Sequence, residues 1–322
     1  MIERSAVVGC GVIGAAWVAR MRLRGVDVRV FDPEPNVGVV LDEVMQQAVV
    51  AWNGLGLSTD RLGSLMVCES VADAVTDAEL VQECVPERLD VKHATLATIE
   101  AAVPRAALVA SSTSGFKPTD LAVHMEHPDR LIVGHPFNPV YLLPLVEVVG
   151  GERTSLDTTD RAMAAYASLG MKPLHVRVEI DAFIADRLLE AVWREAIWLV
   201  NDGVANTAEI DDAIRYGFGL RWAQMGLFET YRTAGGAGGM RHFLRQFGPA
   251  LEWPWTKLTD TPSWTDKLVG TIADQSDDQS GDRTIAELLA ERDQNLVAIL
   301  KALEAVDAGA GKTLAQLRAT QR

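Results

Sequence analysis

The chain has 322 residues, with 30 Lys or Arg against 44 Asp or Glu, and a formal charge of −14 at pH 7. Phosphate backbones and anionic membrane surfaces are repelled by such a field, which argues against nucleic acid and membrane as partners. At 48% apolar and 23% charged residues the chain can bury sizeable cores, and its length suggests about two domains.

The first predicted strand covers residues 5–8 and follows the opening Met-Ile-Glu-Arg directly, with no basic-then-apolar leader. No apolar run approaches the ~20 residues needed to span a bilayer, so a soluble cytoplasmic protein is expected. The strand gives way to Gly9-Cys10-Gly11-Val12-Ile13-Gly14, a G-x-G-x-x-G that opens a predicted helix over 13–23. In that arrangement the first glycine permits the tight turn, the second lets backbone approach a pyrophosphate, and the third lets helix and strand pack closely. The helix N-terminus then faces the pyrophosphate with free N–H groups. A lone G-x-G-x-x-G is a weak signal. Here the next predicted strand, 27–31, ends at Asp32, eighteen residues past Gly14, where a carboxylate binds the adenosine ribose hydroxyls. Pro33-Glu34-Pro35 brings no base to receive a 2′-phosphate, so the expected cofactor is NAD rather than NADP.

Predicted helices over 38–52 and 90–103 alternate with β-type runs at 65–68, 80–83, 107–111, 131–134, 145–149 and 172–178. This alternation predicts a parallel sheet with helices on both faces, a Rossmann-type domain over 1–180. Cys10, Cys68 and Cys84 lie in apolar, strand-like surroundings without Cys-x-x-Cys or a His cluster, and are expected as free thiols, with no metal site.

Two segments of this domain carry hydroxyl, imidazole and carboxylate groups to strand ends. Ser111-Ser112-Thr113-Ser114 follows the 107–111 strand, at the end where an open parallel sheet takes its ligand, although loop capping is the ordinary use of such hydroxyls. His135 ends the 131–134 strand and begins His135-Pro136-Phe137-Asn138-Pro139. A hairpin centred near Tyr141 sets His135 opposite Glu147, and a carboxylate so placed fixes the imidazole tautomer and raises its basicity. A structural hydrogen bond beneath a loop is the competing use of that pair. His93, His124, His127, His175 and His242 have no such partner in the pattern and are expected at surface or packing positions.

Beyond Ile180 the pattern turns helical, with predicted helices over 183–200, 206–216 and 285–306. The glycine-rich stretch 235–239 is expected as a flexible break, and the acidic stretch 274–282 as a solvated loop. The region 181–322 is therefore expected to be an all-helical domain.

Taken together, the fingerprint, the Ser111–Ser114 segment, the H-P-F-N-P segment and the opening Phe183-Ile184-Ala185-Asp186-Arg187 of the helical region resemble the 3-hydroxyacyl-CoA dehydrogenase family over essentially the whole chain. The resemblance implies His135 as acid/base, Glu147 as its dyad partner, and Ser114 and Asn138 near the reacting oxygen. It also implies that Glu87 and Lys92 join Gly9, Gly11, Val12, Ile13, Gly14 and Asp32 in holding the cofactor, and that the helical domain binds substrate and forms a homodimer. One residue departs from the family's usual F-[IV]-x-N-R: Asp186 stands where the asparagine is expected, an anion in place of a neutral amide.

Stretches 134–150, 183–198, 219–229 and 253–257 are most similar to the branch of that family acting on carnitine, a free 3-hydroxy acid. The branch acting on L-gulonate, with the related lens λ-crystallin, is the nearest alternative, and acyl-CoA dehydrogenation another. A non-catalytic NAD-binding structural or sensory protein is the alternative outside enzymes. Carnitine carries a quaternary ammonium, which is recognised by aromatic faces and diffuse negative charge. The helical region offers Trp193, Trp198, Trp222, Phe228, Tyr231, Trp253 and Trp255, and helical spacing puts Asp186, Glu190 and Trp193 on one face. Lys117, Arg187 and Arg221 are candidates for the substrate carboxylate. No Lys/Arg cluster suits the phosphates of coenzyme A. The expected reaction is NAD-dependent oxidation of the 3-hydroxyl of L-carnitine to 3-dehydrocarnitine.

Overall fold

The computed structural model describes residues 2–224, 226–234, 237, 239–247, 263 and 265–321. Eight strands, β1 (Arg4–Val8), β2 (Asp27–Phe31), β3 (Leu65–Val67), β4 (Leu80–Glu83), β5 (Leu108–Ser111), β6 (Leu131–Pro136), β7 (Leu145–Gly150) and β8 (Lys172–Val176), form one sheet. Their order is β3-β2-β1-β4-β5-β6-β7-β8. Pairing is parallel throughout except between β6 and β7, which are antiparallel. The central strands β4, β5 and β6 are buried along their whole length, as a parallel sheet covered on both faces requires.

Helices cover each face. On one side α1 (Val12–Leu23), α2 (Val37–Gly54) and α6 (Leu156–Ser168) enclose a core that includes Trp17, Met21, Trp52 and Tyr166. On the other, α3 (Val71–Val75), α4 (Leu89–Ala102) and α5 (Pro118–Leu121) enclose Val75, Leu96, Ile99, Leu121 and Phe183.

The chain divides into two compact units, one of Met1–Ile184, Ala290–Glu304 and Ala310–Arg322, the other of Ala185–Leu289 and Ala305–Gly309. The expected 181–322 domain is thus divided: its last two helical segments belong with the sheet. Leu300, Leu314 and Leu317 enter the Trp17 and Trp52 core, and Arg318 donates to the carbonyls of Leu55 and Gly56 at 2.7 and 2.8 Å. Helical periodicity shows which face of a helix is apolar but not which core receives it.

The second unit contains α7 (Ala185–Asn201), α8 (Thr207–Ala213), α9 (Gly219–Trp222), α10 (Gly226–Ala234), α11 (Gly239–Phe247) and α12 (Asp266–Ser280). The first unit ends with most of α13 (Ile285–Ala305) and α14 (Gly309–Thr320). Asn206 opens α8 with a reciprocal capping box to Glu209, and a π-helical turn, Ile214–Phe218, follows. The acidic stretch 274–282 is not a loop: α12 runs through Ser280 and stops at Gly281, which has φ +61°. The expected loop rested on polarity, but a helix tolerates acidic residues on a solvent face, and Asp274 and Asp278 are exposed. Stretch 253–257, with Trp253 and Trp255, lies outside the described residues, as do 235, 236 and 238 of the glycine-rich stretch. No helix among the described residues is long and apolar enough to cross a membrane.

Candidate active site

The nucleotide end is built from backbone. Gly9 follows β1 at φ +91°, donates its N–H to Phe31 O at 2.9 Å, and a Cβ there would lie 2.7 Å from the Cys84 carbonyl. Gly11 begins α1 with nothing within 4 Å of a Cβ, which leaves the space over the first turn open. A Cβ at Gly14 would come within 1.9 Å of Gly9 O, so only glycine lets α1 approach the β1 turn. No side chain caps the N-terminus of α1, whose first turn contains Val12 and Ile13 and no acidic residue. Its orphan N–H groups therefore suit an anion. Asp32 is fixed at the end of β2, with Oδ2 accepting from Cys10 N at 2.6 Å and Oδ1 from Glu34 N at 2.9 Å. An open cradle over Gly11 beside an oriented carboxylate fits the pyrophosphate and ribose of NAD. Burial, with Asp32 adding to it, pushes the Cys10 thiol up to about 12, so it stays neutral near pH 7.

Glu87 and Lys92 connect this end to the serine segment. Lys92 is fully buried, and its ammonium donates to both Glu83 carboxylate oxygens at 3.0 and 3.3 Å and to Val85 O at 3.2 Å. It also pairs with Glu87 Oε2 at 3.2 Å. Glu87 Oε1 in turn accepts from Thr113 Oγ1 and from Gly115 N, and Glu83 accepts from Ser111 Oγ. Burial raises the Glu83 carboxyl above its ordinary value, and the Lys92 charge opposes that rise. Lys92 thus stands behind Glu87, engaged by protein acceptors, and the two brace the backbone on either side of Ser114. Ser114 itself is exposed at the C-terminal end of β5.

β6 and β7 pair with His135 directly opposite Glu147. His135 Nδ1 lies 3.0 Å from Glu147 Oε2; the imidazole is 6% exposed and Glu147 is fully buried. A carboxylate in this place can accept from Nδ1 and so hold the ring in one orientation. The other Glu147 oxygen accepts from Ile184 N at 3.0 Å. Phe137 and Phe183 wall the imidazole, with ring centroids 4.9 and 5.7 Å away. Asn138 is exposed just beyond β6, at the same sheet end as Ser114. The antiparallel β6–β7 turn and the parallel β5–β6 pair are what bring these three segments together.

Behind His135 lies a buried network that sequence spacing does not reveal. Gln82 Nε2 donates to Gly134 O at 3.2 Å and to Ser112 Oγ at 2.7 Å, while Gln82 Oε1 accepts from Tyr166 OH at 2.8 Å. Trp17 Nε1 adds a bond to Ser112 Oγ at 3.2 Å. Phe183 was visible as part of a motif, but its packing on His135 was not.

Of the residues expected to meet substrate, Lys117 precedes α5, and its ammonium lies 3.5 Å from the exposed carboxylate of Asp181. Asp186 and Arg187 fall in the first turn of α7. Trp193 is 52% exposed, and Trp222 is tilted against Phe218 with centroids 4.5 Å apart. Glu190 pairs with Arg194, at 3.6 Å. His93 lies at a partly buried packing position, with Nε2 2.8 Å from Asp120 O and its ring edge-on to His124.

The family model of the 3-hydroxyacyl-CoA dehydrogenase NAD-binding domain matches residues 4–180, and that of the C-terminal domain matches 183–270. An L-carnitine dehydrogenase of Mesorhizobium japonicum is 56% identical over 315 residues, covering 97% of this chain and 86% of that protein. A bifunctional L-carnitine dehydrogenase/betainyl-CoA thioesterase of Agrobacterium fabrum is 58% identical over 310 residues, covering 96% of this chain; the chain spans 63% of that longer protein. Among solved structures, the NAD-dependent dismutase 5-formyl-3-hydroxy-2-methylpyridine 4-carboxylic acid 5-dehydrogenase superposes with a TM-score of 0.81 at 28% identity, covering 94% of this chain and 99% of its own. With a Rossmann-type NAD-binding sheet, a helical second region and both family models matched in order, the chain belongs to the 3-hydroxyacyl-CoA dehydrogenase family of NAD-dependent oxidoreductases.

Proposed function

We propose that this protein oxidises the 3-hydroxyl of L-carnitine to 3-dehydrocarnitine, with His135 as acid/base and Glu147 as its partner. The observation that carries the chemistry is the buried His135 Nδ1–Glu147 Oε2 contact of 3.0 Å at the open end of the sheet. NAD, when bound, supplies the nicotinamide carbon that accepts the hydride leaving C3 of the substrate. His135 Nε2 takes the hydroxyl proton, and the Glu147 carboxylate balances the imidazolium charge that results. Ser114 and Asn138 hold the reacting oxygen, which supplies orientation and fixed dipoles.

The choice of carnitine is supported by relatives of that name at 56% and 58% identity. It is supported as well by the anionic Asp186 where an acyl-CoA enzyme of the family usually has an amide. This reading assigns the quaternary ammonium to Asp186, Trp193 and Trp222, and the substrate carboxylate to Lys117 or Arg187. It also takes the protein to be a cytoplasmic homodimer. Leu188, Leu189 and Phe228 on the helical unit, each more than half exposed, favour association of two copies. The test follows NADH formation at alkaline pH with L-carnitine, L-gulonate and 3-hydroxybutyryl-CoA side by side. Preferential turnover of L-carnitine is expected; preference for either of the others overturns the substrate assignment.

A further inference from the structure

The turn between His135 and Glu147 is tied down at a residue that the dyad does not use. Residues 139–143 form a tight turn, in which Leu142 N and Leu143 N both donate to Pro139 O, and Val140, Tyr141 and Leu142 are buried while Asn138 is exposed. Tyr141 is held at both ends. Its carbonyl accepts from Trp52 Nε1 at 2.8 Å and from Arg20 Nη1 at 3.2 Å, the donors coming from α2 and α1. Its hydroxyl donates to Asp293 Oδ2 at 2.5 Å.

Asp293 stands 152 residues later, on α13, and is 7% exposed. Its other oxygen accepts from Arg292 Nε and Nη2 at 2.9 and 2.7 Å, so the carboxylate is held in one orientation with Oδ2 toward the phenol. A buried carboxylate and a buried phenol are expensive to desolvate, and an apolar pair of similar size would pack as well. What the polar pair adds is direction: the phenol is fixed in angle as well as depth, and the turn with it.

We propose that Tyr141 is a positioning residue for the reaction, its hydroxyl bond to Asp293 fixing the turn that presents Asn138 to the reacting oxygen of the substrate. The assignment rests on the reading above that His135 and Asn138 serve the chemistry. A misplacement of about 1 Å can cost on the order of 100-fold in rate, so a small rotation of the turn is enough to matter.

The experiment measures kcat and KM for L-carnitine, NADH affinity by fluorescence, and thermal unfolding. Its variants are Tyr141→Phe, Asp293→Ala, Asp293→Asn and Asn138→Ala, with the double variant Tyr141→Phe/Asn138→Ala. Tyr141→Phe and Asp293→Ala are expected to lower kcat about 10- to 100-fold, with NADH affinity kept within about twofold. Asp293→Asn keeps an oxygen that accepts from the phenol and should recover most of the loss. Added to Asn138→Ala, Tyr141→Phe should cost little more, because both act through the same amide. Unchanged kcat in folded Tyr141→Phe and Asp293→Ala overturns the proposal, as does a Tyr141→Phe loss that adds in full to Asn138→Ala. A His135→Ala control separates the two levels: turnover surviving in that variant defeats the underlying reading, whatever the anchor variants do.

Discussion

The two halves of the site are built differently. The nucleotide end, β1–α1–β2, uses backbone: three glycines, a helix terminus and one carboxylate within Gly9 to Asp32. Where its chain turns left-handed, at φ +91°, it places Gly9. The proposed catalytic end uses side chains gathered from distant segments, with His135 on β6, Glu147 on β7 and Ile184 beyond β8. Where its chain turns left-handed, at φ +58° and +50°, it places Ala182 and Phe183, which tolerate that region poorly. Backbone recognition of a common cofactor can be written as a short local motif. An acid/base held to a particular orientation needs contacts that only the finished fold supplies.

Breaking the catalytic end should have the largest effect. His135→Ala is expected to lower kcat by about 10²- to 10⁴-fold, since it removes the proposed proton acceptor while leaving β1–α1–β2 untouched. Steady-state kinetics with fluorescence titration of NADH reads both quantities, and a wild-type rate would remove His135 from the chemistry. The complementary break is Asp32→Ala. The two charge-assisted hydrogen bonds to ribose proposed for Asp32, at about 1.5–3 kcal/mol each, translate into roughly 10²- to 10⁴-fold weaker NAD binding. The kcat at saturating NAD should change little. If Asp32→Ala lowers kcat as much as it weakens binding, the two ends are not the separable parts that their construction suggests.

The same contrast explains what the sequence revealed. Strand positions were legible to within a residue or two, because β-type runs bounded by turns mark buried parallel strands. The opposition of His135 and Glu147 was legible because a hairpin's register is set by its centre, Tyr141. Nothing local marked the rest. The pairing of Tyr141 with Asp293 depends on α13 returning to the sheet unit, and a helical period does not say where a helix docks. The Gln82–Ser112–Tyr166 network joins three segments whose spacing is arbitrary. The contacts of Lys92 with Glu83 and Glu87 were equally hidden, because position in a motif does not show which way a long side chain turns.

A pH titration sharpens the comparison at the nucleotide end. Cys10 ionises near 9 when unconstrained and near about 12 in the fold, because burial and the Asp32 charge disfavour the thiolate. Between those values the unfolded chain binds fewer protons than the folded one at this position, so stability present below pH 9 is lost as pH rises toward 12. Cys10→Ala should make that decline shallower by up to about one proton in slope, as read from urea midpoints at successive pH values. An unchanged slope would mean that the thiol is not shielded beneath the fingerprint.

The smallest expected effect lies at the catalytic end, in the left-handed pair. Ala182 N lies 3.4 Å from Gly115 O, and the next two residues pack Phe183 on His135 and aim Ile184 N at Glu147. A non-glycine residue in this region carries a penalty of about 1–2 kcal/mol, while glycine adds about 0.4–1 kcal/mol of unfolded-state entropy. Ala182→Gly is therefore expected to stabilise the fold by a fraction of a kcal/mol, raising Tm by about 1 °C, with kcat unchanged. A loss of kcat with a gain in Tm would show that the strain at Ala182 serves the dyad, because relaxing the backbone would free Ile184 N from Glu147. A loss of both would show that Ala182 contributes packing that outweighs its conformation, and the contrast with Gly9 would then reflect neighbours rather than backbone.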